Sequence, residues 1–177
     1  MIIFDLDSTL ADCEHRRHFL EDRREINSLN VFHVISEKFK PDWKSFYEAC
    51  DKDLPILPAI LTMRRLSKFD NIHIWSGRDE SVREKTEKWL RDNFITYSEL
   101  KMRPEGNTEP QEALKEQWLD ELIIKRVSQK LLTGKDFNLT EECKPIQFVF
   151  DSDIESIKMW RRRGIFVFNC CQYDEEF

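Results

Sequence analysis

Glycine is scarce in this sequence, and no glycine-rich phosphate-binding pattern is present. Only Gly77, Gly106, Gly134 and Gly164 occur in 177 residues, and they form neither GxGxxG nor GxxxxGK. Loops of those types bring backbone N–H groups close to the phosphates of a nucleotide cofactor. A cofactor held in this way is therefore not indicated, and any phosphate chemistry must depend on other residues.

Paired cysteines and long apolar segments are missing as well. The five cysteines are an odd number without CxxC spacing, which predicts reduced thiols rather than a disulfide framework or a zinc site. No apolar run approaches the ~20 residues of a membrane helix, so no membrane span is expected. The apolar start at residues 1–4 meets Asp5 at once, unlike a secretory signal, and we expect a cytoplasmic protein.

Length and charge narrow the class of protein further. Hydrophobic residues make up 40% of the chain and the formal net charge is -6 at pH 7. We expect one domain covering residues 1–177, with a sizeable core. This negative net charge argues against general adhesion to nucleic acid. If some carboxylates surround a divalent ion, however, the effective charge is less negative than the formal value. Small or end-bound substrates fit better than long duplexes, and the oligomeric state stays open.

Four short apolar runs predict buried strands, at residues 1–4, 72–75, 146–150 and 165–168. Continuous hydrophobicity with helical patterns between the runs is typical of a parallel sheet covered by helices. Helices are predicted after Ser81, over 114–131 and over 154–162, with a loop over 134–145. The expected fold class is α/β, a three-layer Rossmann-like parallel sheet.

The chain between the first two strands is too long for a compact crossover. We therefore predict a helical cap insertion at about residues 11–70, lying over the edge of the sheet. Its basic and aromatic residues include His15, Arg16, Arg17, His18, Arg23, Arg24, Trp43, Phe46 and Tyr47. A helical cap over the sheet edge would use both the basic and the aromatic residues. The alternative is that the basic residues form a solvated helix face and the aromatic residues are ordinary core residues.

Polar side chains follow three of the predicted strands at the point where each strand ends. They are Asp5 and Asp7, then residues 76–78 (Ser-Gly-Arg), then residues 151–153 (Asp-Ser-Asp). Ligands of parallel sheets bind at the carboxyl ends of the strands. Carboxylates ~4 Å apart repel by roughly 4 kcal/mol at a protein-like dielectric, so ionising both calls for a cation or a shared proton. Each signal alone is common turn chemistry, and Asp153 alone could be a helix N-cap, but together they indicate a metal site.

These residues make the chain resemble the haloacid dehalogenase superfamily of aspartyl-phosphate phosphohydrolases. Asp5, Asp7 and Thr9 match its DxDxT motif, Ser76 its second motif and Asp151 its fourth. Residues 76–78, 101–108, 114–116 and 159–162 further resemble the 3'-phosphatase domain of bacteriophage-type polynucleotide kinases. The kinase half has no counterpart, because a P-loop is missing. Two departures are Ser8, where glycine is usual, and Asp-Ser-Asp at 151–153, where adjacent aspartates are usual.

The resemblance implies a Mg²⁺-dependent reaction with named roles. Asp5 would attack phosphorus and form an aspartyl-phosphate, while Asp7 would serve as general acid and base. Mg²⁺ would bind Asp5, Asp7 through its carbonyl group, and Asp151, with Asp153 as a less certain fourth ligand. Ser76 and Lys115 would contact the phosphoryl group. Substrate contacts are expected from Thr9, Arg78, His15 and Arg16.

Several alternatives stay open. Lys125 lies farther along the same predicted helix as Lys115, but the start of the helix is nearer the site. His33 and His73 are expected to be structural, since no step of the implied mechanism requires a histidine. The preferred hypothesis is removal of a 3'-phosphate from nucleic-acid ends or nucleotides. A 5'(3')-mononucleotidase acting on free nucleotides and a non-catalytic protein that binds phosphorylated ends are the alternatives.

Overall fold

The computed structural model describes residues 1–21, 39–133 and 145–171. Its main sheet has five parallel strands: β1 (Ile2–Phe4), β4 (Ile72–Asp79), β5 (Glu99–Arg103), β6 (Phe148–Asp151) and β7 (Phe166–Asn169). The strand order is β5-β4-β1-β6-β7, and β1 pairs with β4 on one side and β6 on the other. The first strand of the chain therefore lies at the centre of the sheet, where its end is flanked by two others.

Five α-helices accompany the strands in the described residues. They are α1 (Trp43–Glu48), α2 (Leu57–Leu66), α3 (Arg83–Asp92), α4 (Gln111–Thr133) and α5 (Ile154–Arg162). Short 3-10 helices cover Glu14–Phe19, Cys50–Lys52 and Glu80–Val82. A small antiparallel pair joins β2 (Ala11–Asp12) to β3 (Leu54–Pro55). No helix in these described ranges is long and apolar enough to cross a membrane.

Helices cover both faces of the main sheet and create two apolar cores. Successive strand side chains point to opposite faces, so Ile2 and Phe4 join one core while Ile3 joins the other. The first core includes side chains of α2 and α3, and the second includes side chains of α4 and α5. This three-layer arrangement confirms the predicted α/β class, with a parallel sheet between helical layers.

The four predicted strands are all present, with bounds shifted by a few residues. The second continues past Trp75 to Asp79, so the Ser-Gly-Arg motif is part of the strand rather than a turn after it. The short strands β2 and β3 were not predicted, and neither was β5 of the main sheet. Strand β5 lies at the edge of the sheet, where its short alternation of charged and apolar residues replaces the continuous apolar pattern of a central strand.

The chain between β1 and β4 contains the β2–β3 pair, α1 and α2. Ile60 and Met63 of α2 are buried in the first core, so α2 packs against the sheet. Residues 22–38, including Arg23, Arg24 and His33, lie outside the described residues, as does most of the predicted loop at 134–145. The single domain with a cap insertion at about 11–70 stays a prediction.

Candidate active site

The first group of the candidate site lies at the carboxyl end of β1. The backbone N–H of Asp5 donates to the carbonyl of Phe150, which ties the residue to the end of β6. The Asp5 carboxylate accepts a hydrogen bond from Lys115 Nζ at 3.0 Å. Lys115 Nζ also donates to Asp151 Oδ2 at 2.8 Å. The structure therefore brings Asp5 and Asp151 together around one ammonium group, as the converging strand ends predict.

This group, the Asp5–Lys115–Asp151 cluster, is buried and contains two carboxyl groups but only one ammonium group. The three side chains are 1–3% exposed. Burial raises the pKa of Asp5 to about 8, and the neighbouring Asp151 charge adds to the effect against the opposing pull of Lys115. Burial lowers the pKa of Lys115, but the two carboxylates outweigh it and the pKa is raised. One ammonium cannot balance two buried carboxylates, which favours a further cation or a proton here.

Lys115 reaches the cluster because it lies near the start of α4. Helix α4 begins at Gln111, next to the carboxyl edge of the sheet, and Lys115 is 1% exposed there. Lys125 lies ten residues later on an exposed part of the helix. The apolar stripe predicted along this helix is buried mainly in its first half, and Leu131 is 62% exposed. The position of Lys115 rather than Lys125 beside the aspartates agrees with the helix-start argument.

Asp151 and Asp153 have different environments. Asp151 Oδ2 accepts a second hydrogen bond from Trp160 Nε1 at 3.0 Å, which helps to fix the carboxylate. The Asp153 side chain accepts from the backbone N–H of Ser156 and is the N-cap of α5. An N-cap satisfies a backbone donor that the helix itself cannot. The cap alternative weighed for Asp153 is thus what the structure shows, and its role as a metal ligand stays a prediction.

Asp7 belongs to a second group of charges beside the first. Its Oδ1 atom accepts from Arg16 Nη2 at 2.6 Å and from Arg78 Nη2 at 2.6 Å. The side chain keeps 24% exposure, so it is accessible from outside. Burial raises the pKa of Asp7, but Arg78 and Arg16 outweigh this and hold the pKa below its usual value. Asp7 is therefore ionised at rest, the state required of a general base.

Asp53 completes this second group and was missed by the sequence analysis. Its carboxylate accepts from Arg16 Nε and Nη2, both at 2.7 Å, and from Arg78 Nη2 at 2.5 Å. His15 Nε2 lies 2.9 Å from the same carboxylate. We call Asp7, Asp53, Arg16 and Arg78 the arginine–aspartate cluster. It contains two carboxylates and two guanidinium groups, so its charges balance.

Two of the predicted substrate-binding residues are thus buried inside the arginine–aspartate cluster. Arg16 and Arg78 are both 0% exposed. The Arg16 guanidinium also lies over the Phe46 ring, 4.0 Å from its centroid, and donates to the Phe46 carbonyl. The structure places these groups around Asp7 rather than at the mouth of the site. No sequence signal marks Asp53: the need for a second anion follows from two buried arginines beside one aspartate, which only the structure shows.

The remaining predicted residues line the loop after β1 and the end of β4. Ser76 is buried, and its hydroxyl accepts from the backbone N–H of Arg78 at 3.1 Å. Thr9 Oγ1 is buried and has no hydrogen-bond partner in the described part of the chain. A buried hydroxyl without a partner is uncommon in folded proteins. The Thr9 hydroxyl is therefore a polar group whose bonding is incomplete within the first motif.

Ser8 occupies the position where the resembling family usually has glycine. Its φ of 58° is left-handed, a conformation that glycine adopts at low cost and other residues rarely do. The Ser8 N–H donates to the Ala11 carbonyl at 2.8 Å, and its hydroxyl lies 3.1 Å from Cys13 Sγ. Serine therefore keeps the glycine-type turn, and the preceding carboxylates of Asp5 and Asp7 stay at the strand end.

Three hard oxygen donors meet at the strand ends: the carboxylates of Asp5 and Asp151 and the backbone carbonyl of Asp7. The last is placed by Ser152, whose hydroxyl donates to the Asp7 carbonyl at 3.0 Å. No group of three or more His, Cys, Asp or Glu side chains able to hold a metal is found among residues 1–21, 39–133 and 145–171. Mg²⁺ binds few carboxylates and keeps several waters. Two carboxylates, a carbonyl and an uncompensated negative charge therefore fit this ion.

Comparison with known proteins supports the phosphatase interpretation. Residues 1–133 match the family described as the polynucleotide kinase PNKP phosphatase domain. That range includes the DxDxT motif, Ser76 and Lys115 but ends before Asp151. Among curated proteins, none matches the sequence significantly.

Solved structures share the fold. Chains in two structures, the Pnkp1/Rnl/Hen1 complex and the Pnkp1/Rnl/Hen1 RNA repair complex, are each 22% identical, with TM-scores of 0.60 and 0.58. The matches cover 96% and 95% of this chain but only 45% and 41% of those chains. A haloacid dehalogenase-like hydrolase from Streptococcus pneumoniae is 14% identical with a TM-score of 0.56, covering 95% of this chain and 82% of that one. This chain spans less than half the length of the chains in the first two structures. All three similarities show a shared fold.

Proposed function

The chain belongs to the polynucleotide kinase PNKP phosphatase domain family, and on that premise we propose that it removes 3'-phosphates from nucleic-acid ends or nucleotides. It is a phosphatase domain of the haloacid dehalogenase type. The observation that carries the proposal is the meeting of Asp5, Lys115 and Asp151 at the carboxyl end of the central strand. Magnesium dependence and an aspartyl-phosphate on Asp5 are parts of the same proposal.

The metal site proposed for Mg²⁺ consists of Asp5, Asp151 and the Asp7 carbonyl. Support comes from the negative charge that Lys115 leaves uncompensated in the buried cluster. When bound, Mg²⁺ would supply positive charge next to the phosphoryl oxygens. Asp153 stays a predicted fourth ligand, and its carboxylate also caps α5.

Asp5 is the proposed nucleophile. One of its carboxylate oxygens forms a bond to phosphorus while the bond from phosphorus to the ester oxygen breaks, leaving a phosphoryl group on Asp5. Lys115, already bonded to Asp5, stabilises the negative charge that spreads over the phosphoryl oxygens. Ser76 would donate its hydroxyl hydrogen to one of those oxygens. Water then attacks the phosphorylated Asp5 and releases inorganic phosphate.

Asp7 is the proposed acid and base. It would give a proton to the departing ester oxygen and later take one from the attacking water. The two arginines that bond its carboxylate favour the ionised form. A bound phosphate dianion nearby would offset those positive charges and raise the proton affinity of Asp7 for the first step.

Arg16 and Arg78 act as positioning residues in this proposal. Each guanidinium bonds both Asp7 and the buried Asp53, so rotation of the Asp7 side chain would break several hydrogen bonds at once. His15, whose side chain is 38% exposed, stays the predicted substrate contact from this segment. Thr9 stays a predicted contact through its unpaired hydroxyl.

The experiment that tests the catalytic assignment is Asp5→Asn. Release of inorganic phosphate from p-nitrophenyl phosphate with Mg²⁺ should fall by at least ~10³-fold, because the amide is not a nucleophile. Asp92→Asn, which changes an exposed carboxylate on α3, is the matched control and should retain activity. Undiminished turnover by Asp5→Asn protein would refute the nucleophile assignment. Full activity of the parent protein in excess EDTA would refute the metal requirement.

Substrate choice needs a separate panel. It would compare a 3'-phosphorylated oligonucleotide, a 5'-phosphorylated oligonucleotide and free 3'- and 5'-mononucleotides. We expect the 3'-phosphates to be hydrolysed fastest. A preference for free 5'-nucleotides would favour the mononucleotidase alternative, and tight binding without turnover would favour the non-catalytic one.

A further inference from the structure

A pocket of about 750 Å³ lies beside the two charged clusters. Its walls come from α1, from the ends of β4 and β5, and from the loop between β5 and α4; they include Trp43, Tyr47, Asp79, Arg103, Asn107 and Gln111. The proposed phosphoryl site lies at the carboxyl ends of β1, β4 and β6. In the sheet order β5-β4-β1-β6, the pocket therefore extends from that site toward the β5 edge. Its volume is within the range of small-molecule binding sites.

The pocket contacts Gly77, the residue that follows Ser76. Gly77 lies in β4, and its carbonyl accepts from the Tyr47 hydroxyl at 3.2 Å. The Gln111 side chain approaches Gly77 so closely that an added Cβ would lie 2.2 Å from Gln111 Oε1. Gln111 also begins α4, one helical turn before Lys115. A molecule in this pocket would thus lie next to a phosphoryl group held by Ser76 and Lys115.

The wall formed by the β5–α4 loop is held by several hydrogen bonds. Arg103 donates to the carbonyls of Gly77 and Glu109 and to Asn107 Oδ1. Asp79 accepts from the backbone N–H of Gly106 at 3.1 Å. The loop is therefore fixed against the ends of β4 and β5 without a ligand, and the pocket is formed in advance.

Trp43 supplies an aromatic surface on the opposite wall. The indole is 51% exposed although its neighbour Phe46 is buried. It packs against Tyr47 with a ring-centroid distance of 5.8 Å and an interplanar angle of 31°. Nucleobases stack on exposed aromatic side chains of this kind. A half-exposed tryptophan lining a preformed pocket is suited to binding a planar ring.

The charge of the lining indicates which part of a nucleotide fits. Acidic side chains outnumber basic ones, and the acidic ones are Glu48, Asp79, Glu105, Glu109 and Asp153. Of the two basic side chains, Arg103 is bonded within the loop, and Lys44 is the other. A run of phosphates would be repelled by this lining. An uncharged base and sugar would not.

We propose that this pocket binds the nucleoside that carries the phosphate, with its base stacked on Trp43. The inference rests on the proposed function, and it identifies the structural basis for choosing nucleoside phosphates over other phosphate esters. The phosphoryl group lies at the Asp5–Lys115–Asp151 cluster, and the base lies toward the β5 edge of the sheet.

The test compares two furanose 3-phosphates that differ in the group at C1, adenosine 3'-monophosphate with its base and methyl β-ribofuranoside 3-phosphate without one. The parent protein should prefer the nucleotide in kcat/KM by about tenfold or more, since stacking of one base has effects of this size. Trp43→Ala should reduce that preference at least fivefold, mainly through a higher KM for the nucleotide. Trp43→Phe should retain most of the preference, because it keeps an aromatic face.

Phe69→Ala is the matched control. Phe69 is 87% exposed and lies before the amino end of β4, at the other end of the strand from the pocket, so the preference should not change. The proposal is overturned if the parent protein has no preference, or if Trp43→Ala slows both substrates equally.

Binding of adenosine 3'-monophosphate to Asp5→Asn protein, measured by calorimetry, separates this inference from the proposed function. If the parent protein hydrolyses no phosphate ester, the proposed function fails. The pocket is then judged by whether Trp43→Ala weakens that binding about tenfold, and unchanged binding would overturn the inference.

Discussion

Two buried charge clusters lie side by side at the carboxyl end of β1, and they differ in charge balance. In the arginine–aspartate cluster two guanidinium groups face two carboxylates. In the Asp5–Lys115–Asp151 cluster one ammonium faces two carboxylates. The first is complete with the groups that the chain supplies. If both carboxyl groups of the second were ionised, it would carry an excess of negative charge, which is expensive in a buried site unless a cation or proton is added.

The difference assigns separate tasks to Asp5 and Asp7, although they are two residues apart on one strand end. The balanced cluster holds Asp7 in place and keeps it ionised at rest. The unbalanced cluster raises the pKa of Asp5 and is the part of the site where added positive charge stabilises the folded protein. Mutations that remove one carboxylate should therefore have opposite effects on stability in the two clusters.

The largest effect is expected from Lys115→Met, which leaves two buried carboxylates without a cation. The free energy of unfolding in EDTA should fall by about 3–5 kcal/mol. Urea denaturation followed by circular dichroism measures this change. Lys125→Met, an exposed position on the same helix, should change it by no more than about 0.5 kcal/mol. Equal effects of the two substitutions would show that Lys115 does not balance a buried charge.

A smaller loss is expected from Asp53→Asn in the balanced cluster. The free energy of unfolding should fall by about 3 kcal/mol, because Arg16 and Arg78 lose one of their two anions. Asp51→Asn, an exposed carboxylate two residues earlier, is the matched control and should be nearly neutral. If Asp53→Asn protein is as stable as the parent in chemical denaturation, the cluster does not depend on charge balance.

The smallest effect, and one of opposite sign, is expected from Asp5→Asn without metal. The folded protein holds a proton on Asp5 up to a pKa of about 8, whereas the ordinary pKa of this group in the unfolded chain is 3.8. Ionisation of Asp5 in the unfolded chain therefore reduces stability progressively as pH rises from about 4 to about 8. Removing the carboxyl group removes this penalty but also breaks the ion pair with Lys115, which offsets most of the gain. The net free energy of unfolding in EDTA should therefore rise by only roughly 1 kcal/mol.

That stabilisation should be larger at pH 8 than at pH 5, and thermal unfolding at both values measures it. Added Mg²⁺ should stabilise the parent protein and have a smaller effect on the Asp5→Asn protein. A loss of stability similar to that of Asp53→Asn would remove the distinction between the two clusters.

Sequence reasoning located the strand ends because their signals are local. An apolar run followed by a polar residue marks the end of a buried strand, and parallel strands place such ends at one edge. Asp5, Ser76 and Asp151 were found in this way. The edge strand β5 was missed because partial exposure removes the continuous apolar pattern.

The second cluster was beyond local reasoning. Asp53 follows a short 3-10 helix and reaches Arg78 across 25 residues of chain, so no spacing pattern marks it. Arg16 was expected at the mouth of the site, since a basic residue in a charged helical segment is usually solvated. Asp153 was expected at the metal because it belongs to the fourth motif of the resembling family, and the structure shows that its carboxylate also caps α5.

The order of residues along the chain determined the parallel sheet and the meeting of three polar strand ends, because these depend on hydrophobic pattern and on the geometry of parallel strands. Tertiary structure alone decided which charges pair, which stay uncompensated and where an aromatic pocket forms. Those outcomes depend on burial and on distances between distant segments, and electrostatic energy depends on both much more strongly than on residue type.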